Sequence, residues 1–102
     1  MALTIVVTRD VADRYRGFLA SVMLEISAGV YISPRMNAGV RTRTWKVISD
    51  WYASEPNGSI VMVWRDPEKT GGVGIETIGT PPKELVELDG LWITRRSFPK
   101  AL

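Results

Sequence analysis

The sequence predicts an α+β fold of the ferredoxin-like type, a βαββαβ sandwich with an extra C-terminal strand. The chain has 102 residues, enough for one compact domain and too few for two. Its apolar residues follow strand-like and helix-like patterns in the order strand, helix, strand, helix, strand, strand and one late strand. If the middle strand is divided in two, the first six elements form the split βαβ arrangement.

The first strand and the first helix are defined by their apolar patterns. Residues 3–8 (LTIVVT) are apolar or β-branched at both odd and even positions, as in a strand buried on both faces. The next segment has apolar residues at spacings of three and four, which is typical of one helical face. These residues are Val11, Tyr15, Phe18, Leu19, Val22 and Met23. Thr8 or Asp10 is expected to cap this helix by accepting hydrogen bonds from its free amides.

The middle of the chain contains the segment ISAGVYISP and a second helix. Gly29 interrupts the helical pattern and VYI is strand-like, so this segment is either one bent strand or two short ones. Residues 37–53 predict the second helix, with Asn37 as its cap. The apolar face of that helix contains Val40, Thr44, Val47, Ile48 and Trp51.

The last part of the chain predicts three strands. Residues 60–64 (IVMVW) are a continuous apolar run, and the turn sequence DPEKTGG leads into residues 73–79, which alternate. The segment TPPKELVELDG that follows is a polar connection with room for one helical turn. Residues 91–98 are the late strand.

Two helices can cover only one face of the predicted sheet. Residues 3–8 and 60–64 are nevertheless apolar on both faces, and the sequence has no third long helix. A second copy of the sheet, related by a two-fold axis, is the simplest cover, so we expect a homodimer packed through the sheets. Burying a few hundred Å² of each face would contribute on the order of ten kcal/mol at ~25 cal/mol per Å², before the costs of association.

This expectation divides the chain into two parts. Residues 1–80 are predicted to form the ferredoxin-like domain. Residues 81–102 are predicted to form a C-terminal linker and a strand that is exchanged onto, or packed against, a partner, because a strand can extend another sheet at its edge.

Composition removes several kinds of chemistry. The chain contains neither cysteine nor histidine, so it has no disulfide, no thiolate and no imidazole base. Catalysis would therefore depend on carboxylates, together with a hard cation such as Mg²⁺. No apolar run approaches the ~20 residues of a membrane span, and the amino terminus lacks the order of a signal peptide. We expect a cytoplasmic protein that does not bind a membrane.

The positive charge is concentrated in the first half of the chain. Residues 9–46 contain seven basic and three acidic residues, whereas residues 47–102 contain six basic and eight acidic ones. Most of the bases in the first half are arginines, whose guanidinium group can bind two phosphate oxygens at once. This pattern is compatible with a nucleic-acid partner, and also with an ordinary solvated helix face.

Several short motifs, taken in order, resemble one known family. They are VVT at 6–8, Val11, RYRGFLA at 14–20, LE at 24–25, AGVYI at 28–32, Trp45, VMVW at 61–64 and LDGL at 88–91. Together they resemble the CRISPR-associated endoribonuclease or adaptor family, the small partner of the CRISPR integrase in CRISPR adaptation, and most closely its type I-E subgroup. No single motif is specific, but the ordered set is.

The resemblance implies a function and an alternative to it. It implies a homodimeric adaptor that binds the double-stranded DNA of a new spacer and bridges CRISPR integrase subunits for insertion into the repeat array. The alternative is a Mg²⁺-dependent endonuclease that acts on RNA or DNA through Asp10, paired across the dimer axis. Whether the protein is an enzyme stays open at this point.

The resemblance also indicates site residues. Arg14 and Arg16 match the RxRG motif of the subgroup and are expected to contact the nucleic-acid backbone. Arg41 matches a basic residue on the second helix, and Arg43 extends that patch. Contacts of this kind bind phosphates, so binding should be sensitive to salt and tolerant of sequence.

Asp10 is the candidate catalytic and metal-binding residue. Close relatives have an acid directly after VVT, but this chain has Arg9 there and the acid one place later. A shift of one residue at a strand end reverses the face to which a side chain points. The competing interpretation of Asp10 is a helix cap with an ion pair to Arg9 or Arg14.

Aromatic residues and the C-terminal tail raise two further questions. Trp45, Trp51, Tyr52 and Trp64 could stack on bases, although their positions favour packing in the core. The tail with Trp92, Arg95, Arg96 and Phe98 is the candidate contact with the integrase, the alternative being a simple sheet edge.

Overall fold

A computed structural model describes residues 2–79 and 84–95, with only the backbone of Glu84. The strands and helices, in order, are β1 (Ala2–Arg9), α1 (Asp13–Val22), β2 (Leu24–Ser27), β3 (Val30–Met36), α2 (Ala38–Ser54), β4 (Ser59–Arg65), a short 3₁₀ helix (Thr70–Gly72), β5 (Val73–Gly79), β6 (Glu84–Leu88) and β7 (Leu91–Arg95).

The first five strands form one antiparallel sheet in the order β2-β3-β1-β4-β5. The predicted α+β, ferredoxin-like order is confirmed, and the middle strand is divided in two at Gly29. Gly29 has a φ of +78°, and its carbonyl oxygen accepts hydrogen bonds from the amide and the hydroxyl of Thr8 at 2.7 and 3.0 Å. A Cβ atom at Gly29 would approach the Thr8 hydroxyl to 2.9 Å, so a side chain here would strain the β2–β3 turn.

The core lies between one face of the sheet and the two helices. Tyr15, Leu19 and Ile48 from the helices are fully buried against the strands. The buried apolar strand residues of this face are Val6, Tyr31, Met36, Ile60, Met62 and Trp64. The indole of Trp51 meets the rings of Tyr15 and Phe18 edge-on at 5.5 and 5.4 Å. Trp51 and Trp64 therefore pack in or against the core, as their positions in the sequence predict.

The other face of the sheet, which we call the open face, is aliphatic, and neither of the two described α-helices, α1 and α2, lies over it. Residues that pair across antiparallel strands point to the same face. The register therefore places one aliphatic residue from each of the five strands in a single row across the open face. This row is Leu24, Ile32, Ile5, Val63 and Ile75. Packing of a second copy on this face stays a prediction.

The segment between β5 and β7 differs from the sequence prediction. Glu84–Leu88 is a strand, not a polar connection with a helical turn, and it pairs with β7 in a separate two-stranded sheet. Asp89 and Gly90 join the two strands with φ values of +52° and +78°. Two successive residues with positive φ make the tight turn that Asp-Gly favours in hairpins.

The expected cap of α1 is also wrong. The residue before α1 is Ala12, and no side chain caps the helix. The Thr8 hydroxyl is bonded to Gly29 instead, and Asp10 lies three residues before the helix with a φ of +58°. The prediction for α2 is confirmed, because the side-chain oxygen of Asn37 accepts a hydrogen bond from the Val40 amide at 2.8 Å.

Part of the C-terminal prediction cannot be compared with the structure. Arg96 and Phe98 lie outside the described residues, and so do residues 80–83 of the predicted linker. No helix in the described part of the chain has the length and hydropathy needed to cross a membrane.

Candidate nucleic-acid interface

The antiparallel topology places the arginines at two opposite ends of the five-stranded sheet. β1 ends at Arg9, opposite Ser59 at the start of β4, and α1 begins on this side. We call this side the β1 end; its arginines are Arg9, Arg14 and Arg16. β3 and β4 both finish on the other side, and α2 starts there directly after β3. We call that side the β4 end; its arginines are Arg35, Arg41, Arg43 and Arg65.

Arg14 is held by one carboxylate and one aromatic ring. Its guanidinium lies 3.4 Å from a carboxylate oxygen of Glu55 and 4.6 Å from the ring centroid of Trp51. The Arg14 side chain is still 44% exposed. Stacking on an indole fixes the plane of a guanidinium while its outer N–H groups stay accessible. Arg14 can therefore offer a phosphate those N–H groups that Glu55 does not occupy, without changing the plane of its guanidinium.

Arg16 bridges two carboxylates on the same side of the sheet. Its guanidinium nitrogens lie 4.0 Å from Asp13 and 3.8 Å from Glu25. Glu25 also accepts a hydrogen bond from the Gly29 amide at 3.2 Å, which ties α1 to the β2–β3 turn. Because both carboxylates form ion pairs with Arg16, a phosphate would have to compete with them for the same N–H groups.

Arg41 and Arg43 lie at the β4 end, away from Arg14. Arg41 stacks over the ring of Trp64 at 4.4 Å, beside a cavity of about 250 Å³ that Trp45 also lines. Arg41 and Trp51 are ten residues apart on α2, or ~15 Å along a helix. The four arginines predicted from the sequence therefore form two separate pairs and not one patch.

Arg9 is the residue directly after VVT, the position at which the resemblance places an acid in close relatives. Strand alternation puts it on the open face, two residues after Val7 in β1. Arg9 is exposed and forms no ion pair within the described residues. Alternation through the end of β1 was the signal in the sequence that could have identified this position.

Asp10 is neither the helix cap nor the ion-pair partner of Arg9 or Arg14 that was the alternative to a catalytic role. It is exposed, it does not cap α1, and Arg14 is paired with Glu55 instead. Within the described residues Asp10 makes neither a hydrogen bond nor an ion pair. It lines a cavity of about 280 Å³ together with Thr8, Arg16 and Gly29.

This cavity does not by itself fit a magnesium ion. Mg²⁺ prefers several oxygen ligands with negative charge, and Asp10 is the only carboxylate among the residues that line the cavity. Arg16 in the same cavity would repel a cation. No group of three or more acidic residues that could hold a metal occurs in the described part of the chain.

Several partners of the site were not predictable from spacing. Trp51 belongs to α2 and Glu55 directly follows that helix, yet both contact Arg14 of α1. Arg35 and Arg65 are strand residues whose position at the β4 end depends on the order of strands in the sheet. Sequence spacing identifies residues on one helix face, but not residues that the topology brings together.

Two features define the class of this chain. It is a ferredoxin-like domain whose own helices leave one aliphatic sheet face open, and it groups arginines at both ends of that sheet. Clustered arginines on a small basic domain are compatible with a nucleic-acid partner.

The family to which the chain belongs follows from a comparison with family models. The model described as CRISPR-associated protein (Cas_Cas2CT1978) matches residues 3–93, which is most of the chain. The protein therefore belongs to this CRISPR-associated, Cas2-like family. The family resemblance inferred from the short motifs is confirmed.

Proposed function

We propose that the protein is a homodimeric adaptor of CRISPR adaptation, which binds the duplex DNA of a new spacer and bridges integrase subunits. Membership of a CRISPR-associated family supports this proposal. The observation that carries it is the combination of an aliphatic sheet face left open by both helices with exposed arginines at the ends of the same sheet.

The open face supports the dimer. Leu3 and Val7 in the central strand are 44% and 41% exposed, and Leu24 and Ile26 in the edge strand are 62% and 61% exposed. A contiguous aliphatic surface of this kind is typical of an interface and unusual on a monomer. A face-to-face pair would bury it without using either helix, so the helices and their arginines would stay on the outside.

The arginines of α1 support contact with a DNA backbone. Arg14 and Arg16 both lie in the first half of α1, and their side chains are 44% and 49% exposed. In a dimer each surface occurs twice, so one duplex would meet two sets of arginines. Affinity should then fall steeply with salt, because each phosphate contact releases counterions.

A salt titration with a short labelled duplex tests the proposal. Arg14→Gln with Arg16→Gln should weaken binding and flatten the dependence of log K on log salt, by ~0.9 for each phosphate that is no longer bound. Lys46→Gln is the matched control for a single charge, because Lys46 pairs with Asp50 in the middle of α2. Binding that is identical in the double variant and the wild type at all salt concentrations would refute a role for this pair.

The hairpin of β6 and β7 is our candidate for contact with the integrase. Trp92 points towards the rest of its own chain, where its indole N–H donates to the Val73 carbonyl at 3.4 Å. The opposite face of the hairpin carries Leu88, Leu91 and Ile93, which are 55%, 62% and 40% exposed. A two-stranded sheet is marginal on its own, so a partner for this face would stabilise it. Leu91→Asp should weaken co-purification with the integrase while leaving duplex binding unchanged; the reverse result would reject the assignment.

We also propose a second candidate function, a Mg²⁺-dependent endonuclease that uses Asp10 from both copies. One observation favours it: Asp10 is exposed, makes no bond within the described residues and has a left-handed backbone. Strained positions of this kind cluster at functional sites. One chain supplies a single carboxylate, so the partner would have to complete the site. Asp10→Asn should abolish Mg²⁺-dependent cleavage of labelled RNA or duplex; equal cleavage by the variant would exclude this function.

A further inference from the structure

We propose that Arg35 and Arg65, together with Arg41 and Arg43, form a second surface for the phosphate backbone of nucleic acid, at the β4 end. This inference rests on the proposed DNA-binding function and adds a site on the far side of the sheet. Arg35 and Arg65 belong to strands, and no motif of the sequence indicates them.

The register places Arg35 and Arg65 on the two sides of the start of β1. β1 pairs with β3 at Ala2 and Met36, and with β4 at Thr4 and Trp64. Arg35 directly precedes Met36, and Arg65 directly follows Trp64. Neighbouring strands are ~4.8 Å apart, so the backbones of the two arginines, two strands apart, are separated by about 10 Å.

Arg41 joins this surface from the helix layer. Its guanidinium lies over the ring of Trp64, the residue before Arg65. Trp64 and Arg65 point to opposite faces of the sheet, so Arg41 and Arg65 flank the end of β4 from its two sides. Arg43 is exposed two residues further along α2.

The arginines of the β4 end differ from Arg14 and Arg16 in their partners. Three of the four ion pairs among the described residues involve Arg14 or Arg16, and the fourth joins Lys46 to Asp50. The arginines of the β4 end pair with no carboxylate in the described part of the chain. The nearby Asp66 carboxylate accepts the Glu68 amide at 3.1 Å, which closes the turn after β4.

Unpaired arginines on both sides of a sheet end fit the backbone of a nucleic acid. An incoming phosphate would not have to displace a carboxylate here, as it must at Arg16. Successive phosphates of one strand advance about 3.4 Å along the helix axis, so a separation of about 10 Å between the two backbones is wide enough for the side chains to reach different phosphates of that strand. One strand of a duplex can therefore meet both side chains. A strongly acidic protein surface is the competing ligand, and the experiment separates it from DNA.

The test compares a double variant, which carries both Arg35→Gln and Arg65→Gln, with the wild type in a salt titration on a labelled duplex. A slope of ~0.9 per bound phosphate corresponds to about a 3.5-fold change in affinity for each phosphate between about 50 and about 200 mM salt. Over the same range of salt, the affinity of a variant that binds two fewer phosphates should therefore fall by a factor about 12 times smaller than the factor for the wild type. Arg35→Lys with Arg65→Lys is the matched control, because it keeps the charge at both positions and should restore most of the slope.

The outcomes separate this inference from the proposed function. A flatter salt slope in the glutamine double variant, with the dimer intact by sedimentation, supports the second surface. An unchanged slope here, with a flatter slope for the Arg14 and Arg16 double variant, overturns the second surface and leaves the proposed function standing. Unchanged slopes for both double variants overturn both. If the glutamine double variant of Arg35 and Arg65 binds the duplex as the wild type does but loses an acidic protein partner, the second surface for nucleic acid is also overturned, and the surface is assigned to that partner.

Discussion

A carboxylate at Val7 should separate two copies of the protein while leaving each copy folded. Val7 lies in the central strand of the open face, where it pairs with Val30 on one side and Val61 on the other. It is 41% exposed in the single chain. Val7→Asp therefore creates no buried charge in the single chain, and the loss of strand propensity should cost about 1 kcal/mol at most.

The expected effect on dimerisation is much larger. In a face-to-face pair the carboxylate of each copy would be buried without a partner, at a cost of about 3–5 kcal/mol for each one. A two-fold axis doubles this cost to at least about 6 kcal/mol, which weakens the dimer by about four powers of ten.

Sedimentation velocity over a wide concentration range measures this change, with circular dichroism to confirm the fold. Val22→Asp is the matched control, because Val22 is 39% exposed but lies on α1 and not on the sheet. A wild-type protein that stays monomeric at high concentration would refute the role of the open face. A Val7→Asp variant that dimerises like the wild type would do the same.

Three further substitutions test the contacts around the site. Glu55→Gln removes the ion pair to Arg14, so duplex affinity at low salt should rise a few-fold while stability falls by less than about 1 kcal/mol; weaker binding would mean that Glu55 positions Arg14 for the duplex. Gly74→Ala places a methyl group against the Trp64 indole and should lower the unfolding free energy in urea by about 1–3 kcal/mol, and equal stability would contradict this packing. Asp10→Gly relieves a left-handed backbone and should raise the unfolding free energy by up to about 1 kcal/mol, whereas a decrease would show that the carboxylate stabilises the fold.

The order of elements could be predicted from the sequence because each element has its own periodicity. Residues 3–8 form β1, and Tyr15, Phe18 and Leu19 of the predicted stripe pack from α1 on the core, because both patterns depend on neighbours along the chain. The expected burial of β1 on both faces is not seen in the single chain, where Leu3 and Val7 are exposed, and stays a prediction for the dimer. The strand β6 was missed because ELVEL was judged by its polar composition. The signal was present in the Asp89-Gly90 pair, which favours a two-residue hairpin between alternating segments.

The site was less predictable than the fold for a physical reason. Arg14 and Arg41 are both basic residues on helices, and sequence distance does not show that they lie at opposite ends of the sheet. Topology decides this, because α1 starts where β1 ends and α2 starts where β3 ends. The cap expected at Asp10 failed for a more local reason, since the helix starts three residues later, at Asp13.

The two ends of the sheet also connect the direction of the dimer axis to DNA binding. If the axis is parallel to the strands, the β4 ends of both copies lie side by side, and a short duplex can meet the arginines of both β4 ends there. If the axis is perpendicular to the strands, each β4 end lies beside the β1 end of the other copy, where Glu25 and Glu55 already compete with phosphate. Replacing Arg35 and Arg65 would then free about four phosphates of one duplex in the first arrangement and about two in the second, at one phosphate per arginine. The salt slope should accordingly drop by ~3.6 or by ~1.8, so a single titration reports the orientation of the pair as well as its ligand.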